Sequence, residues 1–227
     1  MGGTRQAFHE ELDSIELEVL VEGELAERAI DRAVTALVTG DADLARRVIA
    51  EDDAVDERYL SVERRILEVL ALQTPVAGDL RRLSAILHIN LHLERIGDQA
   101  VNAAKIFLSV RDLPSGSTVL SHLNEMGDMV RAMIRTALAS LRDRDLELAL
   151  TLTAMDDPVD RLNMGMYREV AALASDPQML EWGLRMNVLA RQLERVGDNA
   201  VDIGEQVAFL LTGEFREFTD ASHPEAG

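Results

Sequence analysis

Cysteine is missing from the 227-residue chain, which excludes disulfides, thiolate metal sites and iron–sulfur clusters. Basic residues are scarce: 23 Lys and Arg stand against 41 Asp and Glu, a net charge of −18. So acidic a chain repels phosphate backbones and anionic lipid surfaces and attracts multivalent cations, and nucleic acid is not an expected partner. Long hydrophobic runs are also absent. No segment approaches the roughly 18 apolar residues of a membrane span, and the opening MGGTRQAFHEEL has no apolar signal-like stretch. A cytoplasmic protein without direct membrane insertion is the expectation. Catalytic signatures are lacking as well: there is no P-loop, Gly-x-Gly-x-x-Gly, HExxH or nucleophile elbow. None of the five histidines follows a Glu by three, as a ferritin-like di-iron centre needs.

What is present is a repeat. LERIGDQAVN at 93–102 and LERVGDNAVD at 193–202 are identical at seven of ten positions, offset by 100 residues. Asp52-Asp53-Ala54-Val55-Asp56 echoes Asp156-Asp157-Pro158-Val159-Asp160 at an offset of 104, and Asp41 and Leu44 fall on Asp145 and Leu148 at the same offset. The turn-like Pro114-Ser115-Gly116-Ser117 marks the join. Apolar residues are spaced for helices throughout: Phe8, Leu12, Ile15; Ala26, Ile30, Ala33, Leu37; Leu44, Val48, Val55; Leu80, Leu83, Leu87, Leu91. Thr39-Gly40 can stop a helix and Asp41 can cap the next, while Thr74-Pro75 and Ser175-Asp176-Pro177 read as cap followed by proline. The expected fold is all-α, with six long helices in two tandem three-helix bundles: 1–112, 113–213, and a flexible tail over 214–227.

Four segments carry an acid at i and an aspartate at i+4: Asp52/Asp56, Glu94/Asp98, Asp156/Asp160 and Glu194/Asp198. Residues at that spacing share a helix face, and like charges there cost a few tenths of a kcal/mol per pair. A duplicated arrangement invites a hard compensating cation. If the second helix ends near Leu72 and the third starts antiparallel near Pro75, Asp52 lies 20 residues before the turn and Glu94 19 after it. In the second half the corresponding distances of Asp156 and Glu194 are 18 and 17 residues. Each unit would then gather four carboxylates, with Asn90, Asn102 and Asp202 extending the i+4 rows. The bland alternative is a solvated acidic face, which any single such pair favours.

Other residues have ordinary explanations. His88 and His92 are spaced for a metal, but at an offset of 100 they correspond to Val188 and Gln192. Gly97 and Gly197 suggest close approach of a neighbouring helix or a ligand, because glycine within a helix costs about 1 kcal/mol relative to alanine. Arg95 and Arg195 read as partners for acids on adjacent helices. Eight of the nine methionines lie from Met126 to Met186 and read as core filling, and Trp182 as core or interface.

The duplicated Leu-Glu-Arg-(Ile/Val)-Gly-Asp, the two upstream AspxxxAsp motifs and the opening Arg5-Gln6-Ala7-Phe8-His9-Glu10-Glu11-Leu12 resemble the PhoU family of bacterial phosphate-transport regulators over nearly the whole chain. The resemblance implies two similar bundles, often in a homodimer, and a multinuclear metal cluster of iron or zinc. Its ligands would be Asp52, Asp56, Glu94 and Asp98 in one unit, and Asp156, Asp160, Glu194 and Asp198 in the other, with Asn102 and Asp202 adjoining. It further implies negative regulation of the phosphate-starvation response, indirectly affecting transcription. The mechanism would be bridging from the ATPase subunit of a phosphate ABC transporter to a sensor histidine kinase, with the protein peripheral to the membrane through these partners. Asp79-Leu80-Arg81 fits the family's first repeat, whereas Met179-Leu180-Glu181 in the second half departs from it, which favours the first site. Two other classes stay open: a related regulator of other permeases or stress responses, and a metal-dependent phosphohydrolase, which would lack a catalytic histidine and a basic phosphate clamp.

Overall fold

The computed structural model describes residues 2–215, 217 and 218, and among these the only regular secondary structure is helix. The first unit comprises α1 (Gly2–Thr39), α2 (Ala42–Ala50), α3 (Asp53–Gln73) and α4 (Gly78–Val110). The second comprises α5 (Ser117–Asp143), α6 (Leu146–Leu150), α7 (Leu152–Ala172) and α8 (Pro177–Thr212). Six of these are long, three to a unit. Most of the 214–227 tail lies outside the described residues.

Cap chemistry sets many of the boundaries. Gly40, at φ 70°, ends α1 in the left-handed region. The Asp41 carboxylate then accepts the N–H groups of Asp43 and Leu44, and Asp145 accepts that of Leu148. Asp176 accepts from Gln178 and Met179, with Pro177 opening α8.

The structure departs from the periodicity in three places. The middle helix of each unit is broken, into α2 and α3 and into α6 and α7. At the first break Glu51, Asp52 and Asp53 crowd three acids where helix propensity is already poor. Next, Pro75 does not open α4: Thr74 (φ 48°) and Ala77 (φ 47°) turn the chain first, and the helix begins at Gly78. Finally, of the expected α4 stripe Leu83 is buried, Leu87 and Leu91 are half-buried and Leu80 is exposed, while Ile86, Ile89, Leu93 and Ile96 complete the buried set. Being packed against α1, α2, α3 and α8, α4 shows no single apolar face.

One hydrophobic core spans both units, joining Leu12, Ile15 and Ile30 to Met133, Leu193 and Val196. The units meet where α4 packs along α8 and α1 along α5. Leu138 lies over Gly23 and Val34 over Gly127. These two contacts interchange under the 104-residue offset, so the halves meet as pseudo-symmetric copies. Across the same seam Glu27 accepts from Arg131 (3.2 Å) and Arg135 (2.7 Å). Glu16 joins Arg82 (2.9 Å) to Arg144 (2.6 Å). Among the described residues no helix is long and apolar enough to cross a membrane.

Candidate metal centre

In the first unit the break after α2 places Asp52 immediately before α3 and Asp56 in its first turn, where the helix macrodipole favours negative charge. Glu94 and Asp98 face them from α4. Because α4 starts at Gly78, the register differs from that expected with Pro75 as the first residue. Asp52 lies 21 residues before the end of α3 and Asp98 20 after the start of α4, so it is Asp98, not Glu94, that stands level with Asp52. The electrostatics agree. Partial burial, then Asp56 and Asp98, push the Asp52 carboxyl above its ordinary range, with Lys105 offsetting some of the effect. Burial, then Asp98 and Asp56, do the same to Glu94, with Arg95 opposing. The four carboxylates therefore form one mutually repelling group. Asn102, one turn beyond Asp98, is exposed. Asn90, one turn before Glu94, is buried and donates to the Tyr59 carbonyl (3.1 Å).

A fifth carboxylate was not among the expected residues. Glu22 of α1 is 0% exposed, and both of its carboxylate oxygens lack a hydrogen-bond partner. Burial first, and Glu94 second, raise its pKa to about 8, against the attraction of Arg58. Its signal was legible: Glu22 interrupts the apolar row Ile15, Val19, Ala26, Ile30, all of which are buried. An acid at an inward position is the informative kind of exception.

In the second unit Asp156 is 8% exposed and its Oδ1 is unpartnered. Burial, followed by Asp160, Asp198 and Glu194, raises its pKa to about 7. Asp198 keeps much of its surface in solvent, yet burial of its carboxyl group, then Glu194, Asp160 and Asp202, carries it to about 6 while Arg195 opposes. Glu194 Oε2 is buried without a partner. Asp160 is exposed. Gly197 has a direct part here: a Cβ at that position would collide with Asp156 Oδ1, whereas at Gly97 it would meet Val55 Cγ1 at 3.3 Å. The repeated glycine thus accommodates a carboxylate in one unit and an aliphatic side chain in the other. Arg95 and Arg195 are exposed and act as screening charges beside Glu94 and Asp198.

The two histidines of α4 part company. His88 is exposed and its Nδ1 lies 2.8 Å from the Ser84 carbonyl. His92, 9% exposed, crosses to α8, with Nδ1 2.9 Å from Asn199 Oδ1 and 3.3 Å from Asp202 Oδ2. Asp202 is thereby tied to the first unit as well as adjoining the second acidic group.

The donor set in both units is carboxylate oxygen without sulfur, which suits a hard cation. The buried, unpartnered oxygens of Glu22, Asp156 and Glu194 would gain the partner they lack, so the residues fit such an ion. Among the described residues no three His, Asp or Glu groups already converge on one point, and binding would require carboxylates to rotate inward. Beside the first group lies a cavity of about 470 Å³ lined by Asp52, Gly97, Arg28 and Arg32. Arg32 is engaged by Glu51.

Comparison with known proteins agrees with this architecture. The PhoU domain family matches residues 19–107 and 123–207, once in each unit. A phosphate-specific transport system accessory protein PhoU homolog of Caulobacter vibrioides is 32% identical over 212 residues, covering 93% of this chain and 92% of that protein. A homolog of the same description from Pseudomonas putida is 33% identical over 222 residues, covering 96% and 84%. The crystal structure of PhoU from Pseudomonas aeruginosa superposes with a TM-score of 0.87 at 30% identity, covering 91% of this chain and all of that one (100%). The phosphate transport system regulatory protein PhoU from Streptococcus pneumoniae gives 0.85 at 26% identity, covering 92% and 99%.

Proposed function

Because the chain belongs to the PhoU family, and so is a regulatory, non-catalytic protein of phosphate homeostasis, we propose that it is a metal-binding adaptor. In this reading it restrains the phosphate-starvation response by linking the ATPase subunit of a phosphate ABC transporter to a sensor histidine kinase. The two acidic groups each hold a multivalent cation, iron in preference to zinc because every donor is a hard oxygen. The observation that carries the metal reading is the pair of buried carboxylates, Glu22 and Asp156: both oxygens of Glu22 and Oδ1 of Asp156 have no partner within the protein.

A bound cation supplies positive charge that offsets the repulsion within each group. The chain's own residues do the rest. Asp52 and Asp56 hold the start of α3, Glu94 and Asp98 the middle of α4, and drawing them together fixes the broken middle helix against its neighbour. Asp156, Asp160, Glu194 and Asp198 do the same for α7 and α8. The partner-facing surface thereby acquires a fixed shape. We further propose that the chain works as a homodimer in the cytoplasm, reaching the membrane only through its partners.

In a bacterium deleted for its own PhoU gene, a phosphate-starvation reporter should be silenced in high phosphate by this chain. A variant carrying Asp56→Asn, Glu94→Gln, Asp160→Asn and Asp198→Asn should fail to silence it and should no longer co-purify with the transporter ATPase. Full silencing by the variant would sink the metal-dependent part of the reading. Silencing without any association with the ATPase or kinase would sink the bridging part.

A further inference from the structure

The two acidic groups are not equivalent, and the difference lies in the first helix of each unit. At the 104-residue offset that relates Asp41 to Asp145 and Gly23 to Gly127, Glu22 of α1 corresponds to Met126 of α5. Both side chains are fully buried, but Met126 adds no charge, whereas Glu22 places two unpartnered oxygens inside the first unit. Glu94 is near enough for its charge to act on Glu22, and both acids act on Tyr59 of α3. Arg58 lies near enough to be felt by Glu22, yet among the described residues the ion pair on the neighbouring part of α3 is made by Arg65, with Glu11 and Glu18, and none is made by Arg58. A buried carboxylate left unpaired carries a large desolvation cost, which a cation or a proton would relieve.

We propose that Glu22 is a further ligand of the first acidic group, which therefore takes a hard multivalent cation with carboxylates from three helices, α1, α3 and α4, while the second group uses two helices only. This rests on the metal-binding reading of the acidic groups. The first site holds its ion more tightly than the second, and its occupancy ties α1 to α3 and α4 across the unit.

The test uses Mn²⁺ as the probe, measured by equilibrium dialysis with electron paramagnetic resonance of the free ion. The full chain carries Asp160→Asn, Glu194→Gln and Asp198→Asn, so that only the first group binds. In this background Glu22→Gln and Glu22→Met are each expected to lower Mn²⁺ affinity at least tenfold. Glu22→Met, which installs the residue the second unit already buries, should keep the helical circular dichroism and a metal-free Tm at or above that of its parent. Affinity within twofold of the parent in both variants, with binding abolished by Asp56→Asn, Glu94→Gln and Asp98→Asn, would overturn the role of Glu22 and leave the acidic group as a site. Mn²⁺ binding that survives the latter three substitutions, or no binding by the parent, would overturn the metal-binding reading and the proposal together.

Discussion

Asp156 is where charge, burial and packing compete most directly. Its pKa is raised from 3.8 to about 7, so the folded chain retains a proton that the unfolded chain has released. Such a group contributes its full stability below the unfolded pKa and loses it as pH rises through the folded one. Without metal this group is expected to lower stability between about pH 4 and pH 7, Glu22 extends the loss to about pH 8, and Asp156→Asn should reduce the slope below pH 7. At pH 8 the substitution should raise the metal-free Tm by about 3–6 °C, corresponding to roughly 1–2 kcal/mol in a protein of this size. An unchanged or lower Tm at pH 8 would contradict it. The glycines give a paired expectation. Gly97→Ala gains about 1 kcal/mol of helix propensity against a 3.3 Å contact with Val55 and should be close to neutral. Gly197→Ala displaces the Asp156 carboxylate and should weaken metal binding in the second unit alone, as titration of each variant would reveal. The motif acids were legible because they are duplicated at helical spacing. Glu22 was visible only as an acid in an apolar row, and the His92 bridge left no local signal because its partners lie more than 100 residues away.

At the scale of elements, end chemistry decides where helices begin more reliably than it decides whether they continue. Asp41, Asp145 and Asp176 announced their caps, and each accepts backbone N–H groups as expected. The breaks within the middle helices were not announced, since neither contains a glycine or an interior proline at the break. The link between α3 and α4 was misplaced because Thr74-Pro75 resembles a helix start, while the following Ala77, at φ 47° and ψ −115°, takes a conformation that favours glycine. Ala77→Gly should therefore stabilise the chain by about 0.5–1 kcal/mol, seen as a Tm increase of about 2–4 °C. A decrease would mean that the turn is held differently in solution. In the opposite direction, Asp41→Ala should cost about 1 kcal/mol through the lost cap, measurable by urea denaturation at constant m-value.

The whole molecule is two copies of one design that have merged their cores. Repetition was legible from the LERIGD and LERVGD segments, but the seam was not, because Gly23, Val34, Gly127 and Leu138 look like ordinary helix residues until α1 and α5 are laid together. With the hydrophobic cluster continuous from Leu12 to Val207, metal-free calorimetry should show one cooperative transition, and two resolved transitions would mean that the halves fold separately. Elemental analysis is the most direct probe of what the acidic groups do. The chain would be purified without chelator or a His tag and compared with a Glu94→Gln, Asp98→Asn, Glu194→Gln, Asp198→Asn variant that retains its helical spectrum. Stoichiometric iron or another multivalent metal in the native chain, lost in the variant, is the expected result. Absence of metal from both, persisting after incubation with iron, zinc and manganese, would contradict it and reduce the motifs to an acidic surface.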